Sequence, residues 1–105
     1  MRIHIPSQLV AIAIATVSGI ATKSFLISVV SLQVELILNI ILNIILNEKI
    51  RSDISFLMLG GSMLYMYNFD FSYFLKGNNY LILVFIVIAN LANTCAKYKF
   101  LKNND

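Results

Sequence analysis

The feature that most limits the fold of this chain is an apolar run from Leu9 to Leu46 with only two charged residues, Lys23 and Glu35. A straight helix of that length would reach roughly 57 Å, nearly twice the roughly 30 Å of a bilayer's hydrocarbon layer. The run must therefore fold back on itself. We expect the turn at residues 21 to 24, because a lysine is costly in lipid and can extend to the interface, and Gly19 relaxes the helix just before it.

The composition extends this constraint to the whole chain. Of its 105 residues, 59% are hydrophobic and only 12% are charged. This is too little polar surface to cover a water-soluble globule of this size. We therefore expect an all-α integral membrane protein that forms one membrane domain over residues 1 to 105. Short spans enclose little core, so most of the surface must contact the lipid bilayer or partner subunits.

Three transmembrane helices are expected, at about residues 6 to 22, 24 to 46 and 80 to 96, and the first two form a tight hairpin. Pro6 suits the first turn of the first helix. The charged segment NEKIRSD, residues 47 to 53, ends the second span.

Residues 54 to 75 are apolar enough to enter a membrane, and two interpretations stay open. Gly60-Gly61 and the aromatic cluster around Asp70 favour an interfacial or partly embedded helix. A complete crossing would add a fourth span. With three spans, Lys23 would lie on the same side as the lysines of the C-terminal tail, as the positive-inside tendency prefers.

Polar residues follow the second span at helical spacing. Glu35, Asn39 and Asn43 are four residues apart and form one stripe, because positions four apart on a helix share a face. Ser28 and Ser31 extend the stripe backwards. This face must be covered by protein or water, and an acid inside a membrane indicates a functional site by default. Glu35 is therefore the candidate proton-relay residue, and the other four are its supporting polar stripe.

A structural interpretation of the same residues stays open, since buried amides and a protonated acid can simply hold helices together. Asn90 and Asp70 are candidates for a second polar site. His4, beside the first span, is expected at the headgroup level rather than as a ligand.

Several function classes are not expected from this composition. The net charge of +3 comes from scattered lysines and not from a basic stripe with interleaved aromatic residues, so no nucleic-acid binding is expected. One cysteine and one histidine make a metal site improbable, and the chain has no phosphate-binding loop, dinucleotide fingerprint or nucleophile elbow. We expect this chain to bind no cofactor or metal.

The combination of a short span, a basic tight turn and a second span with Glu35 and Asn39 resembles the small membrane subunit 4L, bacterial subunit K, of respiratory complex I, the NADH–ubiquinone oxidoreductase. Residues 34 to 39 nearly match the family's Leu-Glu-x-x-x-Asn, and Ile5-Pro6-Ser7-Gln8 is similar to the start of bacterial members. The resemblance covers residues 1 to about 46; beyond them it extends only to length and hydrophobicity.

The resemblance implies a non-redox subunit of the proton-pumping NADH:ubiquinone reductase. Glu35 would join a polar axis for proton translocation, and the other hydrophobic subunits of complex I would be its partners. NADH, FMN, iron–sulfur clusters and ubiquinone would be bound elsewhere in the complex, and the isolated chain would not be catalytic. The family's second glutamate, in its third span, is absent here, and Asp70 stands at about the expected separation from Glu35.

The residue usage is typical of AT-rich codons, with abundant Ile and Asn and no Trp. With the resemblance, it favours a divergent, protist-like mitochondrial inner-membrane protein, and a bacterial plasma-membrane protein is the alternative. The competing function is a small structural or assembly subunit of another membrane complex, or a holin-like pore peptide. A proteolipid rotor subunit ranks lower, because the span with Glu35 contains no glycine.

Overall fold

The computed structural model describes residues 5 to 103, and these residues form an all-helical bundle. Its four α-helices are α1 (Ile5–Thr22), α2 (Phe25–Ile45), α3 (Arg51–Met66) and α4 (Tyr80–Asn103). A short 3-10 helix, Phe71–Leu75, lies between α3 and α4. His4, expected at the headgroup level, lies outside the described residues.

The expected hairpin between the first two helices is present, and its turn is shorter than expected. Lys23 adopts a left-handed backbone conformation, and the amide of Ser24 donates to the carbonyl of Gly19 at 3.0 Å. This is a Schellman motif, which satisfies the last carbonyl groups of a helix. Asn47 and Asn68 have the same conformation after α2 and α3. Asparagine tolerates it better than most residues, so these helices end where the sequence supplies an asparagine.

Close packing between α1 and α2 depends on a small residue at the turn. A Cβ atom at Gly19 would overlap the hydroxyl of Ser28. Without a side chain there, Ser28 reaches across and donates to the carbonyl of Ala15 at 2.8 Å. Gly19 therefore acts through close helix approach as well as through the turn.

The helix α3 is continuous through Gly60 and Gly61, and it lies antiparallel against α2. The amide of Gln33 on α2 donates to the carbonyl of Leu57 at 2.7 Å, and a Cβ at Gly60 would overlap the Gln33 side chain. The absence of a side chain at Gly60 therefore admits a polar contact between the two helices. Residues 54 to 75 thus contain most of α3, which packs along α2, and the separate 3-10 helix.

The helix α4 runs parallel to α2. Ser31 contacts Asn90, Glu35 contacts Thr94, and Asn39 contacts Lys97, so the residue numbers rise together along both helices. We call the end of the bundle with Lys23 the turn end, and the end with the last turn of α4 the tail end. The four helices alternate in direction, with α2 in contact with the other three.

The apolar core lies towards the turn end, where α2, α3, α4 and the 3-10 helix meet. Its buried residues are Ile27, Val29, Val30, Leu64, Phe74 and Ile86. The outer surfaces of the helices are also strongly apolar. The helices α2 and α4 are long and apolar enough to cross a membrane, and only 33% and 28% of their most apolar windows are buried within the chain. The helix α1 is apolar but shorter.

In the structure, the last helix extends further into the basic tail than expected. The sequence interpretation ended the span at Ala96 and assigned Lys97 to the tail, but α4 continues to Asn103. Lys97 is only 3% exposed and faces α2. Its burial separates it from Lys99 and Lys102, which are exposed.

Candidate functional site

The polar stripe on α2 lies inside the bundle, mainly beneath α4. Ser31, Glu35 and Asn43 are 0%, 7% and 5% exposed, while Ser28 and Asn39 are half-buried. The periodicity of α2 places these residues on one face, and the parallel α4 packs over the middle of that face. The stripe is therefore covered by this chain itself.

The side chains of α4 that cover the stripe are polar as well. Asn90, Thr94 and Lys97 are spaced four and three residues apart, so they share one face of α4. Their partners are Ser31, Glu35 and Asn39, respectively. Two polar faces at matching spacing therefore meet between α2 and α4.

Glu35 has a partner on each carboxylate oxygen. The amide of Asn39 donates to Oε1 at 3.0 Å, one helical turn along α2. The hydroxyl of Thr94 donates to Oε2 through a long hydrogen bond of 3.5 Å. A buried carboxylate requires such donors, because an unpaired one is costly in a low-dielectric environment.

Lys97 supplies the positive charge of the site. Its ammonium group donates to Oδ1 of Asn39 at 3.1 Å and attracts the Glu35 carboxylate electrostatically. Asn39 thus bridges the two charged groups, with its amide nitrogen towards Glu35 and its oxygen towards Lys97. The bridge compensates both charges without direct contact between them. We call Glu35, Asn39, Thr94 and Lys97 the acid–lysine site.

The stripe continues towards the tail end through Asn43. Its amide nitrogen donates to Oδ2 of Asp53, in the first turn of α3, at 2.6 Å. Asp53 is 2% exposed, so this contact is as buried as the acid–lysine site. A second acid is therefore connected to the stripe, on a helix that the sequence analysis treated as a charged loop at this point.

The other end of the stripe contains a fully buried amide. Asn90 is 0% exposed, and its nitrogen lies 3.3 Å from the Ser31 hydroxyl and 2.9 Å from the carbonyl of Ile86. Its Oδ1 has no hydrogen-bond partner among the described residues. Asn93, one turn further along, donates to the carbonyl of Ser7 and connects α4 to α1. Asn90 therefore contacts the α2 stripe through Ser31, whereas it was expected in a separate second polar site.

Asp70, the other candidate for that second site, is not brought to Glu35. It is exposed and precedes the 3-10 helix near the turn end, where its carboxylate accepts from the backbone amide of Ser72 at 2.9 Å. Hydrogen bonds from Ser72 hold the pKa of Asp70 below its usual value. This is the geometry of a helix cap in contact with water.

Three participants were missed by the sequence analysis, namely Thr94, Lys97 and Asp53. The signal for the first two was present, because Asn90, Thr94 and Lys97 follow helical spacing. It was hidden by the basic residues after Ala96, which suggested a tail. Asp53 gave no local signal, since its link to Asn43 depends on how α3 folds back.

The described residues do not contain a group of three or more His, Cys, Asp or Glu side chains that could hold a metal ion. Two open grooves of about 410 and 400 Å³ lie on the bundle. One is lined by α1 and α2 around Gly19, and the other is lined mainly by α2 and α3 around Gln33. The linings of these two grooves do not include Glu35.

This network has the composition needed for proton transfer. A carboxylate and an amine can each bind or release a proton, whereas an amide can only orient its neighbours or a bridging water. An acid and a lysine inside an apolar bundle commonly mark ion or proton pathways. Comparison of the chain with protein families, curated proteins and solved structures finds no match.

Proposed function

We propose that this chain is a multi-pass membrane protein in which all four helices cross the bilayer. The apolar outer surfaces of α2 and α4 support this proposal, because large exposed apolar areas need lipid or protein contacts. The long dimension of the bundle, 44 Å, is close to the roughly 40 to 45 Å of a bilayer with its headgroups.

The parallel course of α2 and α4 supports four crossings over three. Two parallel helices that both cross a bilayer require the connecting chain to return across it. In this protein α3 makes that return, since it lies antiparallel to α2 from Asp53 to Leu64. Its 16 residues reach about 24 Å, so the bilayer would be thinned or the helix ends covered by headgroups.

The distribution of basic residues supports one orientation. Lys49, Arg51, Lys99 and Lys102 lie near the tail end, whereas Lys23 and Lys76 lie near the turn end. By the positive-inside tendency, the tail end faces the cytoplasm or the mitochondrial matrix. With four crossings, Lys23 and the terminal lysines lie on opposite sides of the membrane, whereas with three they would share one side.

Cysteine labelling of intact membranes tests the number of crossings. In a Cys95→Ser background, we expect Lys49→Cys and Lys99→Cys to react with an impermeant maleimide from one side, and Asn78→Cys to react only from the other. All three positions are exposed in the bundle. Reaction of Lys49→Cys and Asn78→Cys from the same side would instead mean that α3 stays at the interface.

We further propose that the chain carries protons as a non-redox membrane subunit of a proton-pumping NADH–ubiquinone oxidoreductase. The single observation that carries this proposal is the acid–lysine site, in which buried Glu35 and buried Lys97 share Asn39. Burial of both charged groups inside an apolar bundle is expensive, and proton transfer is the function that best explains its presence.

The choice of this complex rests on the resemblance of residues 34 to 39 and of the first hairpin to small subunit 4L. The other hydrophobic subunits would be the partners, and redox cofactors would be held by other chains. The mitochondrial inner membrane is the proposed location, with a bacterial plasma membrane as the alternative. The site differs from the resemblance in its charged partner, because the second glutamate that the resemblance implies is absent and the charged residue that α4 brings near Glu35 is Lys97.

Native electrophoresis tests membership of the complex. After mild detergent extraction of its native membranes, we expect the chain to migrate with NADH dehydrogenase activity and to be recovered with the other hydrophobic subunits by mass spectrometry. An unrelated four-helix membrane protein that carries the same tag serves as the control, because it has no affinity for the complex. Migration only as a monomer or self-oligomer would refute membership.

A structural or assembly subunit is the second candidate, and one observation favours it. Each stripe residue from Ser28 to Asn43 has a partner within this chain, so the stripe also serves to hold the four helices together. Interhelical hydrogen bonds in membranes each contribute about 0.6 to 2 kcal/mol. A purely structural stripe does not require titratable groups, and substitution of Glu35 therefore separates the two functions.

A further inference from the structure

Asp53 is a buried acid that the proposed relay does not yet use. It lies in the first turn of α3, where a negative charge interacts favourably with the helix dipole. That interaction accounts for an exposed acid at a helix start. It does not account for a side chain that is 2% exposed and accepts a hydrogen bond from the stripe residue Asn43.

The position of Asp53 places a second acid at the tail end of the stripe. Asn43 lies one helical turn beyond Asn39, which already bridges Glu35 and Lys97. The rise from residue 35 to residue 43 is about 12 Å, too far for direct transfer. Lys97 bonds to Asn39, between these two depths, so it is the titratable group that lies between the two acids along the stripe.

We propose that Asp53 is the second proton-accepting carboxylate of the stripe and that it exchanges protons with Glu35 through Lys97. This proposal rests on the proposed proton-carrying function. The Lys97 ammonium group gives one proton to a bridging water, which passes a proton on to the Asp53 carboxylate, so an N–H bond of Lys97 breaks and an O–H bond of Asp53 forms. The resulting neutral amine then takes the proton of Glu35. Nothing is oxidised or reduced, and one proton moves from Glu35 to Asp53.

The two amides have a positioning role in this route. Asn39 and Asn43 do not titrate, but they fix the side chains at its two ends and can hold a bridging water. Release then occurs at the tail end, where α3 begins after the exposed Lys49. The route runs along the α2 stripe and does not involve the turn end.

Asp70 provides a matched control for Asp53. Both are aspartates near the start of a helical segment, but Asp70 is exposed and caps the 3-10 helix. In the native complex, we expect Asp53→Asn to reduce proton pumping about 100-fold at normal abundance, the lower range for loss of a proton-transfer group. We expect Asp70→Asn to pump like the wild type.

The full-length chain, purified into nanodiscs of phosphatidylcholine and cardiolipin, gives a second readout that does not depend on pumping. Infrared difference spectra recorded at about pH 5 and about pH 9 report the carboxyl groups that change protonation between these two values. We expect Asp53→Asn to alter the titration of the Glu35 band. Asp70→Asn should leave the Glu35 band unchanged.

A second variant keeps the test decisive where Asp53→Asn does not accumulate. Asn43→Leu retains the acid but removes its link to the stripe, and we expect it to alter the titration of the Glu35 band as Asp53→Asn does. A Glu35 band that titrates identically in the wild type, Asp53→Asn and Asn43→Leu would overturn the inference. Wild-type pumping in Asp53→Asn with impaired pumping in Glu35→Gln would also overturn it, yet leave the proposed function intact. Wild-type pumping in both would overturn the proposed function itself.

Discussion

Glu35→Gln is expected to reduce proton translocation per assembled complex about 100-fold. It also leaves Lys97 buried without its counter-charge, but we expect it to destabilise the chain less than Glu35→Leu, because the hydrogen-bond acceptor is kept. Glutamine keeps the shape of the side chain, and its oxygen can still accept from Asn39 or Thr94. It cannot bind and release a proton, so a relay through this position stops. The factor corresponds to the loss of a general acid–base group. Proton pumping and quinone reductase activity, each normalised to the amount of assembled complex, measure the effect.

Glu35→Leu is the variant that distinguishes relay from packing. Leucine removes both the proton site and the hydrogen-bond acceptor, so Asn39 and Thr94 lose their partner inside the bundle. A buried donor without a partner costs about 1 to 3 kcal/mol. We therefore expect poor assembly in Glu35→Leu. Full pumping in Glu35→Gln together with failed assembly in Glu35→Leu would assign Glu35 a structural role only.

The parts of the site that lie on one helix could be predicted from the sequence. Residues 35, 39 and 43 share a face whenever this segment is helical, because the periodicity is local. The first hairpin was predictable for a similar reason, since Lys23 and Gly19 mark a turn within a long apolar run. The observed helices α1 and α2 lie within one residue of the expected bounds.

The partners of the stripe could not be predicted, because they depend on register between distant segments. Lys97 bonds to Asn39 only because α4 lies parallel to α2, and this direction is set by the return of the chain through α3. The sequence around residue 97 also resembles an ordinary basic tail. Burial of the Lys97 side chain contradicts that local pattern.

The position of Asp70, a candidate for the second polar site, depends on the fold in the same way. Asp70 matched the expected separation along the chain, but separation in sequence does not fix depth in the bundle. The structure exposes Asp70 near the turn end and buries Asp53 beside Asn43. Because α3 folds back along α2, an acid only ten positions after Asn43 reaches the stripe, whereas Asp70 is carried to the other end.

Lys97→Met is expected to be the most destabilising single substitution at the site. Methionine retains much of the apolar length of the side chain but removes the ammonium group. Glu35 is then left as a buried carboxylate without a compensating cation, and Asn39 Oδ1 loses its donor. Breaking one side of a buried charge pair costs about 3 to 5 kcal/mol. Unfolding of the purified chain in mixed detergent micelles, followed by circular dichroism, measures the difference.

Lys99→Met is the matched control, since Lys99 lies on the same helix and is exposed. A surface substitution of this kind changes stability by no more than about 0.5 kcal/mol. Equal stability of the two variants would show that the Lys97 charge is not needed in the bundle. The double variant Glu35→Gln with Lys97→Met then isolates the pair. If the two charges compensate each other, removal of both must cost less than the sum of the single substitutions, because neither charge remains buried alone.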